Sequence, residues 1–281
     1  MTDVTEAPPR TAANANARPL QGSHVWYELM TADPDGATAF YGAVVPGWKV
    51  GQPIGGDQDY RMIERSDGGF GGGVLRITDE MASHGARPIW LGYIGVDNVD
   101  DTVAQVEAKG GKTLMPAFDI PQGRIAMVAD PQGAPFYVMK PVPPAGQPDA
   151  QSDLFSPREE QRVGWNELAT SDADAALDFY TSLFGWEKGD AMPMGEAGSY
   201  QFINRGGEMI GAIFPIQAGA LKDEQPHWRH YIRVPSIAAS KAAAEEAGGT
   251  IRVGPMEVPG GDHILIGTDP QGAEFALVGK A

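Results

Sequence analysis

The sequence predicts an α+β fold: two homologous domains in tandem, each made of two βαβββ modules. Three observations carry this expectation. A set of residues recurs at a fixed offset, each copy runs through strand-like and helix-like segments in the order βαβββ twice, and a polar, proline-rich stretch separates the copies. Trp26, Glu28, Phe40 and Tyr41 recur 139 residues later as Trp165, Glu167, Phe179 and Tyr180, as does Asp130-Pro131-Gln132-Gly133 at Asp269-Pro270-Gln271-Gly272. Gly47-Trp48 and Gly185-Trp186, like Gly110-Gly111 and Gly248-Gly249, are 138 apart, so one-residue length changes separate the copies.

Within the first copy, Val25 to Met30 alternates as a strand, and Asp33-Pro34 supplies an N-cap and a first-turn proline for a helix reaching about Ala43. Short strands are expected around Trp48, Tyr60 to Glu64 and Gly72 to Ile77. The pattern then restarts, with a strand at Pro88 to Val96 and a helix at Val99 to Lys109 that Gly110-Gly111 ends. Strands near Lys112 to Met115, Arg124 to Val128 and Pro135 to Met139 complete the module. The second copy repeats the order, with helices near Ala173 to Leu183 and Ile237 to Ala247. The expected organisation is a flexible tail at 1–22, domain 1 at 23–140, a linker at 141–161 rich in Pro, Ser, Gln and charge, and domain 2 at 162–281.

Composition narrows the function. The 281 residues carry 21 basic and 37 acidic side chains, a net charge of −16 that repels nucleic acid and anionic membrane surfaces. With no cysteine, disulfides, thiolate nucleophiles and Cys-ligated metals are excluded. No apolar run is long enough for a membrane span or for the core of a signal peptide, so the cytoplasm is the expected location. Gly68-Gly69-Phe70-Gly71-Gly72-Gly73 lacks the Lys and helix start of a phosphate loop and reads as a hairpin with close backbone approach.

The paired modules, the strand-Asp-helix-Phe-Tyr openings (Asp33 with Phe40-Tyr41, Asp172 with Phe179-Tyr180) and the closing Asp-Pro-x-Gly turns resemble the glyoxalase/bleomycin-resistance/extradiol-dioxygenase, or vicinal oxygen chelate, superfamily. The resemblance covers nearly all of 24–140 and 162–279. The doubled Trp-x-Glu-Leu openings and the Trp-x-x-Tyr strands at Trp90 and Trp228 look like its tandem two-domain branch. It implies sheets curled around a cavity that often holds a divalent metal, with ligands on the first and last strand of each module. At those positions stand Trp26 and Trp165, Leu91 and Arg229, Tyr137 and Ala276, with glycines around Gly72 and Gly211 at the fourth. None supplies the imidazole or carboxylate such a metal needs, so no metal or other cofactor is expected.

A metal-independent pocket for a small organic molecule, aromatic or hydrophobic, is therefore the leading reading. Alternation turns Glu28 and Glu167 to the same face as Trp26 and Trp165. A carboxylate in an apolar pocket has a raised pKa and can act as a general base, which makes these two the candidate catalytic residues. Tyr60, Leu91, Tyr93 and Tyr137, with Tyr200, Arg229 and Tyr231 in domain 2, are the remaining candidate ligand-binding residues, and Phe118 and Met127 are further walls. Arg229 and Arg233 are placed to pair with Glu167 and hold it ionised; domain 1 lacks both arginines. Two alternatives stand beside this reading. One is a metal-dependent lyase or dioxygenase of the glyoxalase type, using His24 with Glu28 or His230 with a nearby carboxylate. The other is a regulatory module that contacts another protein. The duplication supplies the domain pairing internally, so the chain is expected to be a monomer.

Overall fold

The computed structural model describes residues 20–56, 58–143, 145–147, 150–219 and 224–281. Most of the expected tail, residues 1–19, lies outside the described residues. Domain 1 runs β1 (His24–Thr31), α1 (Pro34–Val44), β2 (Lys49–Val50), β3 (Tyr60–Glu64), β4 (Phe70–Arg76), α2 (Asp79–Ser83), β5 (Ile89–Gly95), α3 (Val99–Ala108), β6 (Lys112–Ile120), β7 (Gly123–Ala129) and β8 (Pro135–Pro141). Domain 2 follows with β9 (Val163–Thr170), α4 (Ala173–Phe184), β10 (Glu187–Pro193), β11 (Ser199–Arg205), β12 (Glu208–Pro215), β13 (His227–Val234), α5 (Ile237–Glu246), β14 (Thr250–Glu257), β15 (His263–Thr268) and β16 (Glu274–Gly279). Each domain is one eight-stranded mixed sheet, ordered β2-β3-β4-β1-β5-β8-β7-β6 and β10-β11-β12-β9-β13-β16-β15-β14. The central pairs β1–β5 and β9–β13, antiparallel, join the two modules of each domain.

The helix starts follow the caps in the sequence. Asp33, Asn98, Asp172 and Ser236 each accept a backbone N–H from the first turn of their helix. The edge strands β10 and β14 complete the expected four strands per module; β10, largely exposed, carries no apolar alternation to mark its bounds. The second half of the expected linker is packed rather than free. Leu154 is buried, Phe155 bridges to Val163, and the Trp48 indole donates to the Gln161 carbonyl at 2.9 Å.

The hydrophobic core does not divide along the domain boundary. One cluster joins the first module of domain 1 (Leu29, Phe40, Tyr41, Trp48, Ile63) to the second module of domain 2 (Ile232, Val234, Ile237, Phe275, Leu277). A second cluster joins the other two modules, through Val99, Val106, Phe136 and Val138 against Leu168, Phe179, Tyr180 and Phe184. Each module buries its helix-bearing face against a module of the other domain.

Two equivalent polar chains run through these cores. The Trp90 indole donates to the Tyr41 hydroxyl at 2.9 Å, and Tyr41 donates to Asp269 of domain 2 at 3.0 Å. In the mirror arrangement Trp228 donates to Tyr180 at 2.8 Å and Tyr180 to Asp130 of domain 1 at 3.1 Å. Each Asp also ties its own hairpin, Asp130 accepting the N–H groups of Gln132 and Ala134 and Asp269 those of Gln271 and Ala273. Burial pushes both carboxyls above their ordinary range, an effect that these donors oppose.

Removing either tyrosine hydroxyl leaves a buried indole N–H and a carboxylate short of a partner. Tyr41→Phe and Tyr180→Phe are each expected to lower unfolding free energy by about 1–2 kcal/mol, and the pair to be near additive, because they sit in separate cores. Urea denaturation followed by far-UV circular dichroism checks this.

Candidate ligand-binding site

The faces of the sheets turned away from the other domain carry the candidate site residues. Along β1, Tyr27 and Leu29 enter the shared core, so Trp26 and Glu28 face the other way. The register places Trp26 beside Tyr93, Glu28 beside Leu91 on β5 and Gly73 on β4, and Tyr93 beside Tyr137 on β8. Leu91, Tyr93 and Tyr137 form an apolar cluster with Ile125 and Met139, against which Trp26, Tyr60, Met115 and Met127 pack. The Tyr93 and Tyr137 rings stack with centroids 4.2 Å apart.

Glu28 lies at the centre of this cluster and is 2 % exposed. Its Oε2 accepts the Tyr93 hydroxyl at 3.0 Å, whereas its Oε1 is buried without a hydrogen-bond partner. The Tyr60 hydroxyl, which accepts the Trp26 indole N–H at 2.7 Å, faces the same carboxylate. Gly73 makes room for it, since a Cβ there would fall 2.1 Å from the Tyr60 hydroxyl oxygen. Burial pushes the Glu28 carboxyl up to about 7, against the pull of Tyr93 and Tyr60.

Domain 2 repeats the frame and fills it differently. Trp165 donates to Tyr200 at 2.7 Å, and Tyr200 donates to Glu167 Oε2 at 2.8 Å. Glu167 Oε1, which by its tyrosine partner corresponds to Glu28 Oε2, accepts Tyr231 at 3.0 Å and the Arg229 guanidinium at 2.8 Å. Arg229 also pairs with Glu274 at 2.7 Å and Glu224 at 2.9 Å. The second expected arginine goes elsewhere: Arg233, four residues along the same face, reaches Asp262 at 2.8 Å and not Glu167. Glu274 was missed by the sequence reading, although it lies one alternation step from Ala276. The buried charge of Arg229 was the signal that such a partner had to exist.

The histidines fall outside these faces or at their edge. His24 was expected beside Trp26 and Glu28, but the β1–β5 register shifts between His24 and Trp26, and this bulge turns His24 inward. There it stacks against Tyr27 and Trp186, and burial lowers its pKa to about 3, with the charge of Arg205 adding to the effect. His230 is buried on the same inner side, 2.9 Å from Asn166 Oδ1, and burial holds it well below the ordinary histidine range. His227 sits on the opposite face of β13, its Nε2 3.1 Å from Glu274. Phe118, expected as a wall, is 40 % exposed on the edge strand β6.

Among the described residues, no set of three metal donors lies at the centre of either sheet. Domain 1 offers one carboxylate among Trp26, Leu91, Tyr93 and Tyr137, with Gly73 on β4. At the two expected glycine positions a side chain has no room: a Cβ on Gly72 would lie 2.6 Å from the Tyr27 carbonyl oxygen, and one on Gly211 2.1 Å from that of Asn166. In domain 2, Glu224, His227 and Glu274 bring three donor atoms within 4.8 Å of one another, the one such group among the described residues. Arg229 stands among them, bonded to both carboxylates and 3.3 Å from His227 Nε2, so the cation these groups face is already a guanidinium.

Comparison with known proteins agrees with this architecture. Residues 162–277 match the family model of the glyoxalase/bleomycin resistance protein/dioxygenase superfamily, and residues 25–139 match that of the glyoxalase-like domain. CFP32 of Mycobacterium bovis, which carries the name of a glyoxylase, is 31% identical over 265 residues, covering 93% of this chain and 96% of its own. The anthracycline biosynthesis protein DnrV of Streptomyces peucetius is 29% identical over 275 residues, covering 92% and 93% of the two chains. Among solved structures, the Mn(II)-bound glyoxalase of Novosphingobium aromaticivorans shares the fold with a TM-score of 0.59 at 17% identity, over 92% of this chain and 83% of that one. The 2,3-dioxygenase LapB of Pseudomonas sp. KL28 does so with a TM-score of 0.59 at 11% identity, over 94% of each chain. With two matching domains, one sheet each, this chain belongs to the glyoxalase/bleomycin resistance protein/dioxygenase superfamily as a tandem member.

Proposed function

We propose that the chain is a metal-independent binder of a small organic molecule, aromatic or hydrophobic in its body, and that domain 1 holds it. The observation that carries the reading is Glu28, a buried carboxylate with one oxygen unpartnered inside a wall of Trp26, Tyr60, Tyr93 and Tyr137. Apolar and aromatic walls supply burial, and a single polar group orients the guest. Relatives named for anthracycline biosynthesis are consistent with an aromatic guest. Domain 2 then serves as scaffold, its carboxylate already taken by Arg229.

A metal-dependent reading has one place to rest, the Glu224, His227 and Glu274 group. It requires the metal to displace Arg229 and leave that guanidinium buried without its partners, a cost of several kcal/mol.

Untagged protein purified without chelator is expected to carry manganese, iron, nickel and zinc well below one equivalent by elemental analysis. Its melting temperature is expected to be unmoved by EDTA. Stoichiometric metal with a chelator-sensitive melting temperature would overturn metal independence.

Glu28 also predicts a pH dependence. Its carboxyl is held at about 7 in the folded protein. It returns to about 4.3 in the unfolded chain, so the fold binds this proton more tightly. The stabilisation is complete below about pH 4 and is lost as the pH rises to about 7, beyond which it stays lost. The groups facing Glu28 are the hydroxyls of Tyr60, Tyr93 and Tyr137, all pushed upward mainly by burial and therefore neutral throughout that window. Glu28→Gln is expected to gain stability relative to the native protein across this window, on the order of 4 kcal/mol at most. Denaturant melts at a series of pH values read this directly.

A further inference from the structure

The two copies hold the same carboxylate in the same frame, and one of them displays what the other lacks. In domain 2 the Glu167 carboxylate is bonded by the Arg229 guanidinium at 2.8 Å. The position equivalent to Arg229 in domain 1 is Leu91, which lies beside Glu28 in the strand register as Arg229 lies beside Glu167. The rest of the domain 2 ion network is likewise exchanged for apolar residues: Ile89 stands for His227 and Pro135 for Glu274. Glu28 thus has no cation beside it among the described residues, and its Oε1 is a buried acceptor without a partner.

We propose that the ligand of domain 1 is an organic cation, a protonated amine on an aromatic or apolar body, whose ammonium group takes the place beside Glu28 that Arg229 takes beside Glu167. This rests on the reading of domain 1 as a binding pocket and names the chemistry that pocket selects. Three features besides the unpartnered oxygen support it. The walls are the rings of Trp26, Tyr60, Tyr93 and Tyr137, whose electron-rich faces attract a cation as well as burying an apolar body. No Lys or Arg among the described residues acts on the Glu28 carboxyl, in contrast to Glu167 with Arg229. A net charge of −16 draws cations to the protein at long range and repels anions. The Trp26 indole N–H is already given to Tyr60, so the ring offers the guest only its face.

Domain 2 offers no second site of this kind, because both Glu167 oxygens are used and Ala276 replaces Tyr137. One amine per chain follows.

The test is isothermal titration of the full chain at about pH 8, with 2-phenylethylamine, which is charged there, and 2-phenylethanol, its uncharged counterpart. The amine is expected to bind at one equivalent per chain and at least about tenfold more tightly than the alcohol, the scale of a charge-assisted hydrogen bond plus a cation–π contact. Glu28→Gln should reduce that preference to less than about twofold. Leu91→Arg, which installs the domain 2 cation in domain 1, should remove amine binding, with near-UV circular dichroism confirming an intact fold. Equal affinity for amine and alcohol would overturn the cation assignment while leaving a pocket for neutral ligands. Two amines per chain, or a preference that survives Glu28→Gln, would place the amine elsewhere and overturn it as well. Failure of both compounds to bind would overturn the pocket itself.

Discussion

The fold turns on a hydroxyl shared between domains. The Tyr41 hydroxyl accepts an indole N–H from its own domain and donates its O–H to a carboxylate of the other, and Tyr180 does the same in the opposite direction. Because Asp130 and Asp269 also pin the hairpins that close their sheets, the contact linking the domains and the contact shaping each sheet edge are one network. The apolar clusters around these chains draw on both domains, so neither sheet has a complete core of its own. Cooperative unfolding of the whole chain follows from that arrangement, and so does the rigidity of the central strands that present Glu28 and Glu167.

What the sequence made legible was the part that repeats. The Phe-Tyr and Asp-Pro-Gln-Gly motifs were readable as fold signatures from spacing alone, and alternation on the first strand correctly turned Glu28 and Trp26 to one face. Their chemical reason was not readable, because Tyr41 meets Asp269 across 228 residues of sequence. His24 was misplaced by a single-residue bulge, which leaves no trace in composition yet inverts the face of a strand end. The edge strand β10 had no apolar alternation to mark its bounds, and Glu274 escaped notice because the closing position was counted two residues later.

The outer faces tell a different story from the inner ones. Inside, Trp90 and Trp228, Tyr41 and Tyr180, Phe136 and Phe275 are matched pairs doing the same work in each copy. Outside, Leu91 faces Arg229's role, Pro135 that of Glu274 and Tyr137 that of Ala276, so one carboxylate ends in an ion network and the other among aromatic rings. Interlocked cores constrain both copies jointly, whereas each outer face answers only to its own contents. That difference in constraint is why a duplicated chain can keep one fold and carry two unlike centres.

Where the two sheets meet at the pseudo-twofold axis, equivalent positions confront each other. Tyr27 donates to Asn166, its own counterpart 139 residues on, at 3.0 Å, and His230 lies against Gly92, its counterpart 138 residues before, so close that a Cβ on the glycine would fall 2.8 Å from the imidazole. A homodimer is obliged to place identical residues on its axis, and two imidazoles or two phenols would compete for that volume. Fusing the copies into one chain lifts the obligation: a large side chain on one side meets a small one on the other, and a donor meets an acceptor. Covalent linkage has thereby given this centre a heterodimer's freedom of composition without the problem of finding the right partner.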